Sequence, residues 1–257
     1  MAMALELVTI PCLTDNYAFL LHDAASGQTA VVDVPDAPPI LNELKTRGWK
    51  LTDILITHHH SDHIQGVYAL RAATGAKVWG AAADAHRLPA LDVKLDEGST
   101  VTIGAETGTV IDVPGHTIGH IAFHFPESGL AFTADSLMAC GCGRLFEGTG
   151  AQMWQTLSRL AALPPETVIC SGHEYTASNI RFALSLEPDN PMLISRNRRV
   201  AAARERGVPT VPSTLSEELA TNPFLRASLP QMKVAVGLTD AGDAAVFSEI
   251  RARKDRF

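Results

Sequence analysis

Apolar and polar positions change places at short range through the first two-thirds of the chain. Leu5 to Ile10, Tyr17 to Leu21 and Thr29 to Val34 are short runs rich in branched residues, separated by Asp15-Asn16 and Ser26-Gly27, and they predict three sheet strands. Ile40, Leu41 and Leu44 follow Pro38-Pro39 and precede Gly48, which predicts a short helix over Ile40 to Arg47. Leu51 to Thr57 is an almost continuous apolar run of the kind buried on both faces. A helix over Gly66 to Ala73, closed by Gly75, and a strand over Lys77 to Gly80 come next. Further strands are expected at Thr100 to Ile103, Thr109 to Val113, Ile121 to Phe125, Leu130 to Thr133 and Thr167 to Cys170, with a helix around Gln152 to Leu160. After His173 the texture changes. Helical patterns at Ile180 to Leu186, Leu193 to Arg206 and Ala244 to Arg253 are broken by Pro188, Pro191, Pro209, Pro212 and Pro223, with little strand signal. The βαβ rhythm predicts a mixed α/β sheet covered by helices, with a helical appendage behind it.

The chain of 257 residues is long enough for one large domain with such an appendage. A hydrophobic fraction of 46% excludes intrinsic disorder and collagen-like structure. No apolar stretch approaches the ~20 residues that span a bilayer, and Met1 to Pro11 has no basic region, so a cytoplasmic protein is expected. Twenty-eight acidic against 21 basic residues give −7, which argues against a nucleic-acid partner. The four cysteines, Cys12, Cys140, Cys142 and Cys170, read as reduced thiols. The Cys140-x-Cys142 pair reads as a tight loop between glycines, since no second pair completes a metal site.

The chemistry lies in the 10 histidines. The strand ending at Thr57 runs into His58-His59-His60-Ser61-Asp62-His63. In an extended segment alternate residues project to one side, so His58 and His60 can reach a common point, His59 has the opposite phase, and Asp62 and His63 belong to the following turn. Imidazole and carboxylate are ligands that a borderline divalent ion accepts. Three later positions also follow apolar strands: His116 after Val113-Pro114-Gly115, Asp135 after Thr133-Ala134, and His173 after Ser171-Gly172. His22, His86 and His124 lie in no motif, and His120 is a candidate for a place behind the ligands.

This His-x-His-x-Asp-His run, with the later His, Asp and His in order, resembles the metallo-β-lactamase superfamily. The resemblance implies an αββα sandwich carrying two metals at one sheet edge. It assigns His58, His60 and His116 to one metal, Asp62, His63 and His173 to the second, and Asp135 as the bridge, with Asp62 and Asp135 as the catalytic carboxylates. Zinc is the first expectation, and iron or manganese suits the same donors.

Other segments narrow the family. Ile10-Pro11-Cys12-Leu13-Thr14-Asp15-Asn16-Tyr17, Cys140 to Thr149, Gly172-His173-Glu174-Tyr175-Thr176 and Arg251 to Phe257 are similar to glyoxalase II, the hydroxyacylglutathione hydrolases, nearly end to end. The similarity implies a catalytic domain over residues 1–175 and an all-helical glutathione-binding domain over 176–257. It implies hydrolysis of S-(2-hydroxyacyl)glutathione by a monomer, and glutathione contacts from Arg144, Phe146, Tyr175, Arg251 and Lys254. Phe146 stands where the family often has Tyr, and Leu145 replaces an aromatic. The last seven residues carry a local side-chain charge of +3, so an acidic protein can still offer a cationic mouth. The alternative on the same fold is a glutathione persulfide dioxygenase, which has a single iron and lacks the long helical appendage.

Overall fold

Short apolar runs at the start of the chain form an antiparallel meander: β1 (Glu6–Cys12) pairs antiparallel with β2 (Asn16–His22), and β2 with β3 (Thr29–Val32). The computed structural model describes residues 4–257. Next come α1 (Ala37–Arg47), β4 (Asp53–Leu55), α2 (Ser61–Ile64), α3 (Val67–Thr74), β5 (Lys77–Ala81) and β6 (Val93–Leu95). The sheet runs β1-β2-β3-β4-β5-β6, and the pairings from β3 to β6 are parallel. Parallel neighbours need crossovers, which α1 provides between β3 and β4 and α3 between β4 and β5, while the segment 82–92 joins β5 to β6. Pro38 and Pro39 sit in the first turn of α1, where no intrahelical N–H is lost, and Gly48 ends it in the left-handed region at φ 70°.

β2 and β3 are buried along their whole length because both sheet faces are covered. On one face Ile40, Leu44, Val67 and Leu70 of the helices pack with Leu20, Val31, Ile54 and Val78. On the other, Phe19 meets Phe132 edge-on at 5.7 Å. Phe132 belongs to a second, antiparallel run made of β7 (Thr100–Ile103), β8 (Glu106–Asp112), β9 (Ile121–Phe125) and β10 (Leu130–Ala134). These elements form one compact unit, the chain up to Asp112 together with Gly119–Ala134.

The second unit comprises Val113–Ile118 and Asp135–Phe257. It contains β11 (Leu137–Met138), β12 (Gly141–Cys142), α4 (Gly150–Ala161), β13 (Val168–Ser171), α5 (Thr176–Leu186), α6 (Pro191–Glu205), β14 (Ser213–Thr214), α7 (Leu215–Thr221), α8 (Pro230–Val236) and α9 (Asp243–Arg256). A capping box starts α4: the Gln152 N–H donates to Thr149 Oγ1, and the Thr149 N–H to Gln152 Oε1. Trp154 of α4 lies against Phe247 of α9 at 6.2 Å.

A polar knot lies inside this unit. Glu218 is fully buried and accepts from Arg196, from Ser213 Oγ at 2.6 Å, from the Cys140 N–H at 2.7 Å and from Asn222 Nδ2 at 3.0 Å. Asn222 Nδ2 also donates to the carbonyls of Met138 and Gly141, and Asn179 Nδ2 to that of Ala139. The hairpin β11–β12 is thus held by side chains from α5 and α7 rather than by its own short ladder.

Several expectations need correction. The strand expected over Leu51 to Thr57 is regular only at Asp53–Leu55, because the Thr57 N–H turns to Asp33 Oδ1 at 2.9 Å instead of a ladder carbonyl. Ser61 to Ile64 forms one helical turn where a turn without helix was expected. The short strands β6, β11, β12 and β14 were not anticipated, nor were α7 and α8 among the prolines. Two or three residues carry no measurable period.

Cys140-x-Cys142 falls in the polar knot, with Cys140 at φ 54°. All four thiols are buried. Burial pushes Cys12 up to about 11, Cys140 to about 12 and Cys142 to about 11, and raises Cys170 as well. At pH 8 the folded protein should therefore react slowly with an aromatic disulfide reagent and release four equivalents rapidly only after denaturation. Replacing Glu218 by Ala strands Arg196 as a buried cation and should cost about 3–5 kcal/mol, read as a lower urea midpoint.

Candidate metal centre

Four predicted ligands stand at the carboxyl end of β4, beyond the point where the ladder is broken. Asp33 organises them. It is 2% exposed and sits in the left-handed region at φ 56°. Its Oδ1 accepts the Thr57 N–H, while Oδ2 accepts Thr57 Oγ1 at 2.8 Å and faces His63 Nδ1 at 2.8 Å. Thr57 Oγ1, having donated to Asp33, accepts from His58 Nδ1 at 3.0 Å. Both rings are thereby fixed in the tautomer with Nδ1 protonated and Nε2 carrying the lone pair. Donor atoms of Asp33, His58 and His63 lie within 4.8 Å of one another, the spacing of a metal cluster. Its engagement by Thr57 and His63 instead makes Asp33 the carboxylate that orients ligands.

His58 Nε2 is directed at His60 Nδ1, 3.2 Å away, and His63 Nε2 lies 3.8 Å from Asp62 Oδ2. Asn16 Nδ2 donates to both the carbonyl and Oδ2 of Asp62, at 3.1 and 3.0 Å. His59 faces away, as its strand phase requires: its Nδ1 is 3.1 Å from Asp84 Oδ2, and Arg87 closes the cluster by donating to Asp84 Oδ1. His120 stacks on His58 with ring centres 4.6 Å apart and planes 10° from parallel. The sequence reading missed Asp33, Thr57 and Asp84. A carboxylate inside the apolar run Thr29 to Val34 was the available signal for Asp33; Thr57 and Asp84 carried none.

The other three predicted ligands belong to the second unit. His116 Nδ1 donates to the Arg144 carbonyl at 2.7 Å, so Nε2 carries the lone pair, and it faces Asp135 Oδ2 at 3.5 Å. His173 Nε2 is 3.3 Å from the same oxygen. One carboxylate oxygen therefore stands between two imidazoles. Gly143 makes the arrangement possible, since a Cβ there would lie 1.9 Å from the Asp135 carbonyl oxygen and 2.8 Å from His116 Nδ1.

These spacings fit a divalent ion. A tetrahedral ion with ~2.0–2.1 Å bonds sets adjacent donor atoms about 3.3 Å apart. The His58–His60, His116–Asp135 and His173–Asp135 pairs stand at 3.2, 3.5 and 3.3 Å. An imidazole lone pair facing a carboxylate oxygen is repulsive by itself, and a cation between them removes the repulsion.

The residues predicted to meet glutathione are also in the second unit. Phe146 is 61% exposed, with its ring 5.3 Å from that of His116. Tyr175 is 41% exposed and stacks on His173 at 4.7 Å. Arg144 is largely exposed, with its Nε 3.6 Å from Asp255 Oδ1. Arg251 lies below the surface: it donates to the Cys142 carbonyl at 3.0 Å and to Asp255, and covers the Phe224 ring. Lys254 is half-buried, 5.4 and 5.5 Å from the rings of Phe182 and Phe257, and burial, then Arg251 and Arg181, hold its pKa below the usual lysine value.

Comparison with known proteins matches this arrangement. The profile described as "Metallo-beta-lactamase superfamily" matches residues 17–173, and "Hydroxyacylglutathione hydrolase C-terminus" matches 174–257. A hydroxyacylglutathione hydrolase of Cereibacter sphaeroides is 69% identical over 255 residues, covering 99% of this chain and 100% of the relative. Among solved structures, the BLEG-1 B3 metallo-beta-lactamase superposes with a TM-score of 0.67 at 21% identity, over 86% of this chain and 99% of that one. TTHA1623, solved in a di-iron-bound form, gives 0.62 at 26% identity, over 86% of this chain and 100% of that one. With both profiles meeting at His173, and identity of this order over the full length, the chain belongs to the hydroxyacylglutathione hydrolase family of the metallo-β-lactamase superfamily.

Proposed function

We propose that the protein hydrolyses the thioester of S-(2-hydroxyacyl)glutathione, S-D-lactoylglutathione first, to glutathione and a 2-hydroxy acid such as D-lactate. This would be the second step of methylglyoxal detoxification. The observation that carries the reading is Asp135 Oδ2 standing 3.5 and 3.3 Å from two imidazole nitrogens, in the unit that also exposes Arg144, Phe146 and Tyr175. The full-length identity to named hydroxyacylglutathione hydrolases supports it.

In this reading His58, His60 and His116 would hold one ion and Asp62, His63 and His173 the other, with Asp135 as a ligand they would share. Two divalent ions bound there, zinc in the first place with iron or manganese compatible, would supply a hydroxide at neutral pH and polarise the thioester carbonyl. The chain's own residues do the rest. Asp33 and Thr57 keep the Nε2 lone pairs of His58 and His63 available by fixing their tautomers. Asp62, held by Asn16, orients the attacking water and takes its proton. As the carbonyl carbon is attacked, the C–S bond breaks and the thiolate of glutathione departs. Arg144 and Lys254, with Arg251 beneath them, place positive charge where the glutathione carboxylates sit, and Tyr175 and Phe146 offer ring faces to its backbone. Residues 1–175 then serve as the catalytic part and 176–257 as the helical part that recognises glutathione.

Loss of the S-lactoylglutathione absorbance should be rapid with the metal-loaded protein and should stop on chelation. A rate no faster than that of the stripped protein would refute the reading, and one iron per chain with oxygen consumption would favour the persulfide dioxygenase. Asp135→Ala should abolish turnover and reduce the metal content below two ions per chain. Phe146→Tyr restores a hydroxyl worth ~0.5–1.5 kcal/mol, so KM for the glutathione thioester should fall by up to about tenfold.

A further inference from the structure

The cations assigned to glutathione share a carboxylate that nothing in the proposed reaction uses. Asp255 Oδ1 accepts from Arg251 Nη2 at 2.8 Å and Nε at 3.1 Å, and the same oxygen lies 3.6 Å from Arg144 Nε. Asp255 is the single acid among the last seven residues. Helix formation does not explain it. It stands in the last turn of α9, where the helix dipole disfavours an anion. Its i,i+4 pair with Arg251 has the cation on the N-terminal side, the weaker orientation.

We propose that Asp255 is a specificity-determining residue of this site: its carboxylate competes with those of glutathione for Arg144 and Arg251, and so sets how readily the product leaves. The inference rests on the glutathione reading above. Hydrolysis changes the acyl end only, so the product keeps both carboxylates that the cations recognise. Binding of that kind is shared by substrate, transition state and product; it lowers KM without raising kcat, and it slows release of glutathione. Arg144, Arg251 and Lys254 without Asp255 would present three cations; with it the local charge is +2. Arg144, whose side chain is 62% exposed, can leave Asp255 for a ligand carboxylate, whereas Arg251, at 8%, stays anchored on the Cys142 carbonyl.

The test is calorimetric binding of S-methylglutathione, whose methylated sulfur cannot become the strongly ligating thiolate, to the metal-loaded full chain. Asp255→Asn removes the charge and leaves an oxygen to accept from Arg251. It should lower Kd by about two- to fivefold at low salt, the range of an exposed ion pair, with the gain shrinking as salt rises. Asp255→Ala should shift Kd in the same direction. In an Arg144→Gln background the gain from Asp255→Asn should be at most half as large. Unchanged or weaker binding by both Asp255 variants overturns the inference while leaving the thioesterase reading intact. Failure of the parent protein to bind S-methylglutathione overturns the glutathione reading and this inference with it.

Discussion

Electron-rich atoms do not gather unaided. His116, whose Nδ1 is bound to a carbonyl, presents the lone pair of Nε2 to Asp135 Oδ2 at 3.5 Å, and folding must hold the two there against their own repulsion before any cation arrives. For three of the rings the surrounding structure occupies the far side with a fixed hydrogen bond. For His58 and His63 the partner is the Thr57 and Asp33 pair, for His116 the Arg144 carbonyl. Because each of these rings is anchored through Nδ1, its remaining nitrogen has only one direction in which to point.

The same economy governs the second unit. The segment from Asp135 to Arg144 begins with a proposed ligand and ends with a proposed substrate contact. Its hairpin strands of two residues each are too short to define a conformation by ladder bonds alone. Definition comes instead from Glu218, Asn222, Asn179 and Arg251, which satisfy the N–H of Cys140 and the carbonyls of Met138, Ala139, Gly141 and Cys142. A buried polar network of this kind is costly when incomplete and rigid when complete. It ties the helical residues that complete it to the loop that positions Arg144 and Phe146. The Cys140 and Cys142 side chains fill space in that loop, with their thiols pushed well above neutral titration by burial.

Much of this was legible in the chain itself. The short apolar runs between turn residues located the principal strands, and the proline and glycine punctuation located α1 and α3. The His-x-His-x-Asp-His run named four candidate ligands because strand alternation separates His58 and His60 from His59, and the His59–Asp84 contact agrees with that phase. The orienting groups were less visible. Asp33, Thr57 and Asp84 act at separations of up to 30 residues, and a buried carboxylate looks in sequence like any other acid beside a strand. Short strands such as Ser213–Thr214 left no period, and α7 was obscured by its neighbouring prolines.

Local physics, then, determined the elements and the identity of the chemical groups: side-chain periodicity, turn residues and ligand-type residues at strand ends are all properties of neighbours in the chain. Tertiary structure decided which nitrogen of each anchored ring presents its lone pair, that Arg144 stands exposed while Arg251 is buried, and that Asp255, one helical turn from Arg251, also meets Arg144. Those outcomes depend on hydrogen-bond partners and desolvation supplied by residues as distant as Cys142 from Arg251, and no local pattern encodes such a meeting.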